Sequence, residues 1–341
     1  MRKTTKKQQK KQKKLRTLVL LLFLTIIMFG TSTYAWFTAN KTVTINSLDV
    51  HVEASGGIQI STDAATWKSV ITNSDITTNA YTGHKNMVPG SVTAVSTNGA
   101  VDSAEGTTKG QLMLYKATIG NDATTGDYTI TTTRTTEQAG TTGDYIAFDI
   151  FLRVDEARTI YLTTGSSVTV KATTEDKGLK NAARVGFVNL GNAASTTDPA
   201  TLVALNNPAA SAVIWEPNID THSALVTSQV ATEYGVTLGT GSNATPYYGI
   251  KEAFSSPANL KNTVNGTDQT HTTSMTPYIK TVNGFTTYQQ AFSLAAGVTK
   301  MRVYMWIEGQ DIDCENNATG SDITYTVQLS TESSAAGGTN P

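Results

Sequence analysis

Val43 and Ile45, followed by Leu48, Val50 and Val52, alternate with polar residues across one phase slip at Asn46-Ser47, a pattern that predicts a strand with a bulge. Gly56-Gly57 ends it, and Ile58–Ser61 reads as a short partner strand. Residues 62–142 are mostly Thr, Asn, Gly and Ser, which predicts loops and edge strands, with Lys109–Ile119 as the clearest regular piece. Tyr145–Val154 is apolar on both faces for much of its length and reads as a core strand. Short strands follow at Thr159–Leu162 and Ser167–Ala172, then a buried one at Ala182–Leu190. Residues 191–285 collect Pro, Asn, Gly and Thr around Trp215-Glu216-Pro217-Asn218, predicting a loop-rich insertion with short helices near Leu202–Leu205 and Tyr248–Phe254. Lys300–Glu308 and Asp322–Leu329 predict a closing pair of strands, and the tail 330–341 is expected to be disordered. The expectation is all-β: a two-sheet antiparallel β-sandwich of jelly-roll type over 36–329, with the insertion at about 191–285.

The first 35 residues follow a different pattern. A tail dense in Lys and Arg runs into the apolar stretch Leu18–Phe29, and small residues lead to Ala35. These are the parts of a secretory signal helix, and the apolar run is shorter than the roughly 20 residues of a spanning helix. The expectation is cleavage between Ala35 and Trp36 and a secreted or surface-exposed chain. An uncleaved anchor over Thr17–Phe37 is the alternative, and it is the one route by which a membrane would be engaged.

Composition sharpens this picture. Nine of the 26 Lys and Arg lie in residues 1–35 and none of the 27 Asp and Glu do, leaving 17 against 27. A net charge near −10 in the remainder argues against nucleic acid or an anionic membrane as partner. Thr supplies roughly one residue in six, suited to half-wet pleated surfaces. The single cysteine, Cys314, excludes an internal disulfide, so packing and strand pairing must provide the stability.

Candidate chemistry is sparse. The histidines, His51, His84, His222 and His271, are far apart in sequence, without H-E-x-x-H spacing, and read as surface residues of strands and loops. No G-x-S-x-G is present, so no catalytic residue is assigned and the expectation is a non-enzyme. Asp311, Asp313, Glu315, Asn317, Thr319 and Asp322 place oxygen ligands at positions 1, 3, 5, 7, 9 and 12 of a calcium-type loop. Asn316 stands where that loop needs Gly, and the flanks read as strands. Weak Ca²⁺ binding is compatible with the spacing, while a solvated acidic turn is the simpler expectation; no other cofactor is implied. Arg302, Tyr304, Trp306 and Glu308 share one strand face, either a sugar-binding strip or a face packed beneath 191–285.

Thr33-Tyr34-Ala35-Trp36-Phe37-Thr38, with Lys41-Thr42-Val43 and Ser47-Leu48-Asp49-Val50 behind it, resembles the start of TasA/camelysin proteins, and Met87-Val88-Pro89-Gly90 is similar to that family's L-x-P-G turn. The longer relatives also show blocks similar to Tyr145–Arg153, Asn181–Phe187, Trp215–Asn218 and Trp306–Asp311. The resemblance implies export by a signal peptidase of SipW type, a jelly roll, and extracellular biofilm-matrix fibres. In such fibres the mature N-terminal segment completes a neighbour's sheet, with the chain itself or related matrix subunits as partners. Trp36, Phe37, Val43 and Ile45 are then the assembly strand, because aromatics at a freed terminus favour burial against a sheet edge. Head-to-tail repetition of that contact would build a filament. Pro89 and Gly90 are expected to shape a turn, Pro fixing φ and Gly taking a positive-φ corner. A monomeric adhesin or glycan-binding protein and a camelysin-like metallopeptidase are the alternatives.

Overall fold

The computed structural model describes residues 49–334 except 56, 79–85, 139, 173, 225, 239–246, 276–277 and 315–321. The chain is all-β and sandwich-like. Its large sheet runs β15 (Tyr278–Lys280), β11 (Val213–Glu216), β10 (Ala183–Ala193), β17 (Gly297–Glu308), β7 (Ile146–Val154) and β2 (Gln59–Ser61), with β4 (Ala94–Val95) joining the end of β17. The second sheet runs β16 (Gln289–Leu294), β8 (Arg158–Leu162), β18 (Ile323–Ser330), β1 (Asp49–Ser55) and β3 (Val70–Thr72), with β9 (Ser167–Val170) beside β18.

These two sheets pack face to face. The Phe187 ring of β10 lies 5.4 Å from the Phe292 ring of β16, and Tyr325 of β18 reaches the Trp306 carbonyl at 3.5 Å. The opposite face of the large sheet is covered too. A three-stranded sheet, β13 (Phe254–Asn259), β6 (Tyr128–Thr135) and β5 (Leu114–Asn121), lies in this outer region with the pair β12 (Tyr248–Ile250) and β14 (Thr272–Ser274). Val95, Leu112, Leu114 and Met275 close over Tyr304 and Trp306. The large sheet is therefore a middle layer, which explains why β17 is buried along its whole length and why its sequence reads as nearly continuous apolar residues.

The core strands expected at Tyr145–Val154 and Ala182–Leu190 form as β7 and β10, and a short helix forms at Pro199–Val203, capped by Asp198 Oδ1 on the Thr201 N–H. Four expectations need correction. Lys300–Glu308 and Asp322–Leu329 do not pair: they are β17 and β18 of different sheets, so the residues after Glu308 cross between layers instead of turning a hairpin. Ile58–Ser61 pairs with β7, not with the strand before it. Tyr248–Phe254 contains β12 and the start of β13 in place of a helix, since a short apolar run carries no period that separates the two. Gly90 is exposed and outside the left-handed region, so the Pro89-Gly90 bend uses no positive-φ corner, while Pro89 is buried.

Candidate functional site

The most concentrated chemistry lies on the covered face of the large sheet, around Arg184. Arg184 of β10 stands opposite Trp306 of β17 and is fully buried. Its Nη2 lies 2.6 Å from Glu216 Oε1 and 2.6 Å from Asp311 Oδ2. Nη1 donates to the carbonyls of Asn181 at 3.1 Å and Ala183 at 3.0 Å. The Tyr247 ring lies 4.9 Å from the guanidinium, and Tyr278 of β15 donates its hydroxyl to Glu216 Oε2.

Asp311 joins this group to a second one. The Asp313 N–H donates to Asp311 Oδ1, Asp313 Oδ1 accepts the Ser223 N–H at 2.9 Å, and Asp313 Oδ2 lies 2.8 Å from His222 Nδ1. Glu308, at the end of β17, accepts from Trp306 Nε1 and from the Gln310 N–H. Burial pushes Glu216 up to about 8, with Asp311 adding to the shift and Arg184 opposing it. Burial likewise pushes Asp311 up to about 6 and Glu308 to about 7. Two carboxylates share one guanidinium here and titrate as a unit, so a proton is retained by the pair near neutrality. Burial disfavours the charged His222 ring, yet the Asp313 carboxylate outweighs it and the pKa is raised.

A comparable group lies further along the same face. Arg302 makes a two-pronged contact with Asp149, Nε to Oδ1 at 2.6 Å and Nη2 to Oδ2 at 3.0 Å, and bonds Glu137 through Nη1 at 2.9 Å. Tyr304 donates to Glu137 and accepts the Leu112 N–H at 3.0 Å. Arg302, Tyr304, Trp306 and Glu308 are all buried, so the suggested sugar-binding strip is an internal face. Its cover combines Val95, Leu112, Leu114 and Glu137 with Met275 and Tyr278 of 191–285, so the expected packing beneath that segment is part of the cover.

Of the residues singled out from sequence, Ala35, Trp36, Phe37, Val43 and Ile45 lie outside the described residues, as do Glu315 and Asn317. Asp311 and Asp313 are brought together, but against Arg184 and His222, which a Ca²⁺ ion at loop positions 1 and 3 would have to displace. Asp322 is buried, its N–H donating to Thr174 Oγ1 at 3.1 Å. Among the described residues no group of three or more His, Cys, Asp or Glu is arranged to hold a metal.

His222 is no surface residue: its side chain is 8% exposed, and its Nε2 is buried without a hydrogen-bond partner. A His–Asp pair of this kind orients an imidazole for proton transfer; among the described residues no hydroxyl or thiol engages Nε2. His51 is exposed, and His271 pairs with Asp268 at 2.8 Å.

Arg184, Glu216, Asp149 and Glu137 were not singled out from sequence. The available signal was a lone charge inside an apolar strand, as in Ala-Ala-Arg-Val-Gly-Phe, Val-Ile-Trp-Glu and Ala-Phe-Asp-Ile-Phe. No protein-family model, curated protein or solved structure matches this chain.

Proposed function

We propose that the chain is an exported, non-enzymatic structural subunit of extracellular fibres or biofilm matrix. In this reading a signal peptidase of SipW type removes residues 1–35 and frees Trp36–Ile45, which adds as a strand to an open sheet edge of the next copy or of a related matrix subunit. Main-chain hydrogen bonds would supply affinity, and Trp36 and Phe37 would set register by burial. The observation that carries the reading is the seat of β1. All seven of its residues, Asp49–Ser55, pair in parallel with Thr324–Ser330 of the chain's last long strand. A segment donated just ahead of Asp49 would thus be tethered to the interior of a sheet, an anchor suited to bearing load along a filament. On its other side β3 pairs with only His51–Glu53.

The buried charge groups support the same reading, because the polar side chains that chemistry would need are engaged in ion pairs, chiefly between neighbouring strands of the large sheet. Negative-stain electron microscopy of the exported protein tests the proposal. Filaments are expected from a chain beginning at Trp36, and single particles from one lacking residues 36–45. Filaments formed equally well without that segment would overturn strand donation, and single particles from both would favour a monomeric adhesin.

A further inference from the structure

Strand β5 presents an unguarded edge. It pairs with β6 on one side, from Leu114↔Thr135 to Asn121↔Tyr128, without a register shift. On its other side Tyr115 exchanges both backbone hydrogen bonds with Ser96, each 2.9 Å, so the N–H and C=O of Tyr115 point away from β6. Strand alternation turns the N–H and C=O of Ala117, Ile119 and Asn121 the same way, and among the described residues these six groups meet no backbone partner. Ala117 and Ile119 are half-buried and Asn121 is exposed. Other described edges are short or blunted. β2, β3 and β15 have three residues each, β13 carries Pro257 and a register shift, and β16 has a shift between Gln290 and Phe292.

We infer that this edge binds the same edge of a second copy, antiparallel about a two-fold axis at Ile119. Outward-facing residues must pair with one another, which sets Ile119 against the partner's Ile119 and Ala117 against the partner's Asn121. The same register puts Lys116, whose Nζ also lies 2.7 Å from Asp144 Oδ1, opposite the partner's Asp122, whose Oδ1 accepts the Thr124 N–H, twice over, on the face that also carries Thr118. Parallel pairing would instead set Lys116 beside Lys116 and Asp122 beside Asp122, so charge selects the antiparallel arrangement. Two three-stranded sheets become one continuous six-stranded sheet, with the Ile119 side chains in contact at its centre. This isologous contact is separate from strand donation by residues 36–45 and does not depend on it.

Cross-linking of the full chain tests the pairing. Residues in a hydrogen-bonded antiparallel pair have Cα atoms about 5.5 Å apart, within disulfide reach. Ile119→Cys is expected to give a covalent dimer under mild oxidation. Thr118→Cys is expected to stay single, because each Thr118 faces the partner's Gly120 and the two copies are offset. Cys314 is buried and does not compete. Ala117→Pro removes one outward N–H without touching a β6 bond and is expected to weaken association at least tenfold in sedimentation velocity. Deleting residues 36–45 should leave the Ile119→Cys cross-link intact. The inference is overturned by a single-chain Ile119→Cys product, by unchanged association of Ala117→Pro, or by a cross-link that disappears with residues 36–45, which would show that the edge takes that segment instead.

Discussion

Arg184 concentrates the residue-scale physics of this protein. Its charge is buried against Glu216 and Asp311, so removing it strands two carboxyl groups in a dry site. Breaking a buried pair from one side costs about 3–5 kcal/mol, and Arg184→Leu is expected to fall in that range by urea denaturation. The same site sets a pH dependence. Glu216, Glu308 and Asp311 have folded pKa values raised to about 8, 7 and 6, so the fold binds protons that the unfolded chain has released. Their contribution is complete below an unfolded carboxyl pKa of about 4 and is lost as pH rises through these folded values. His222, also raised, acts in the same direction: its contribution is lost as pH climbs above its unfolded value. Asp75 works oppositely at the acid end, since Lys68 holds its pKa down and acid removes that contribution. Melting temperature is therefore expected to peak in mildly acidic solution and fall from about pH 5 to about pH 8, and Glu216→Gln should flatten that fall. An unchanged slope in the variant would assign the dependence elsewhere. The presence of lone charges in apolar strands was legible in the sequence; their partners were not, because Arg184 and Asp311 are brought together by a strand register and a layer crossing.

At the scale of elements, legibility follows burial. β7, β10 and β17 stand out because a middle layer buries both faces and needs apolar residues at nearly every position. The crossing after Glu308 was misread because Asp311 and Asp313 look like a solvated turn, although both are buried. Lys109–Ile119 overlaps β5, whereas β12 is not legible, for a different reason. β12 has only three residues, and its identity depends on what it touches. A Cβ at Gly249 would sit 1.7 Å from the Thr97 carbonyl oxygen, so glycine is what lets β12 approach this backbone, where the Ile250 N–H also donates to Ser96 Oγ at 3.0 Å. Backbone cannot yield as a side-chain tip can. Gly249→Ala is expected to cost about 1–3 kcal/mol in chemical denaturation, and a neutral result would mean that β12 docks less closely than its geometry requires.

For the molecule as a whole, the outer layer differs from the sandwich in adding polar ties to its apolar contacts. The two main sheets meet through aromatic and aliphatic side chains such as Phe187, Phe292 and Tyr325. The outer layer packs Leu112, Leu114 and Met275 on Tyr304 and Trp306 and adds polar ties, Glu137 to Arg302 and Tyr304 and Leu112 to Tyr304. Regions with fewer buried apolar contacts open locally at a lower free energy than the core. Glu137→Ala isolates this difference. Arg302 keeps its two-pronged Asp149 contact, so no charge is orphaned, while the link from β6's end to β17 is cut. Losing hydrogen bonds to a charged group costs about 1.5–3 kcal/mol, and that cost belongs to opening of the outer layer. Amide exchange should therefore accelerate in β5 and β6 and stay unchanged in β1 and β18. Acceleration spread evenly over all four strands would show that the layers unfold together, and the outer sheet would then be as integral to the body as the sandwich.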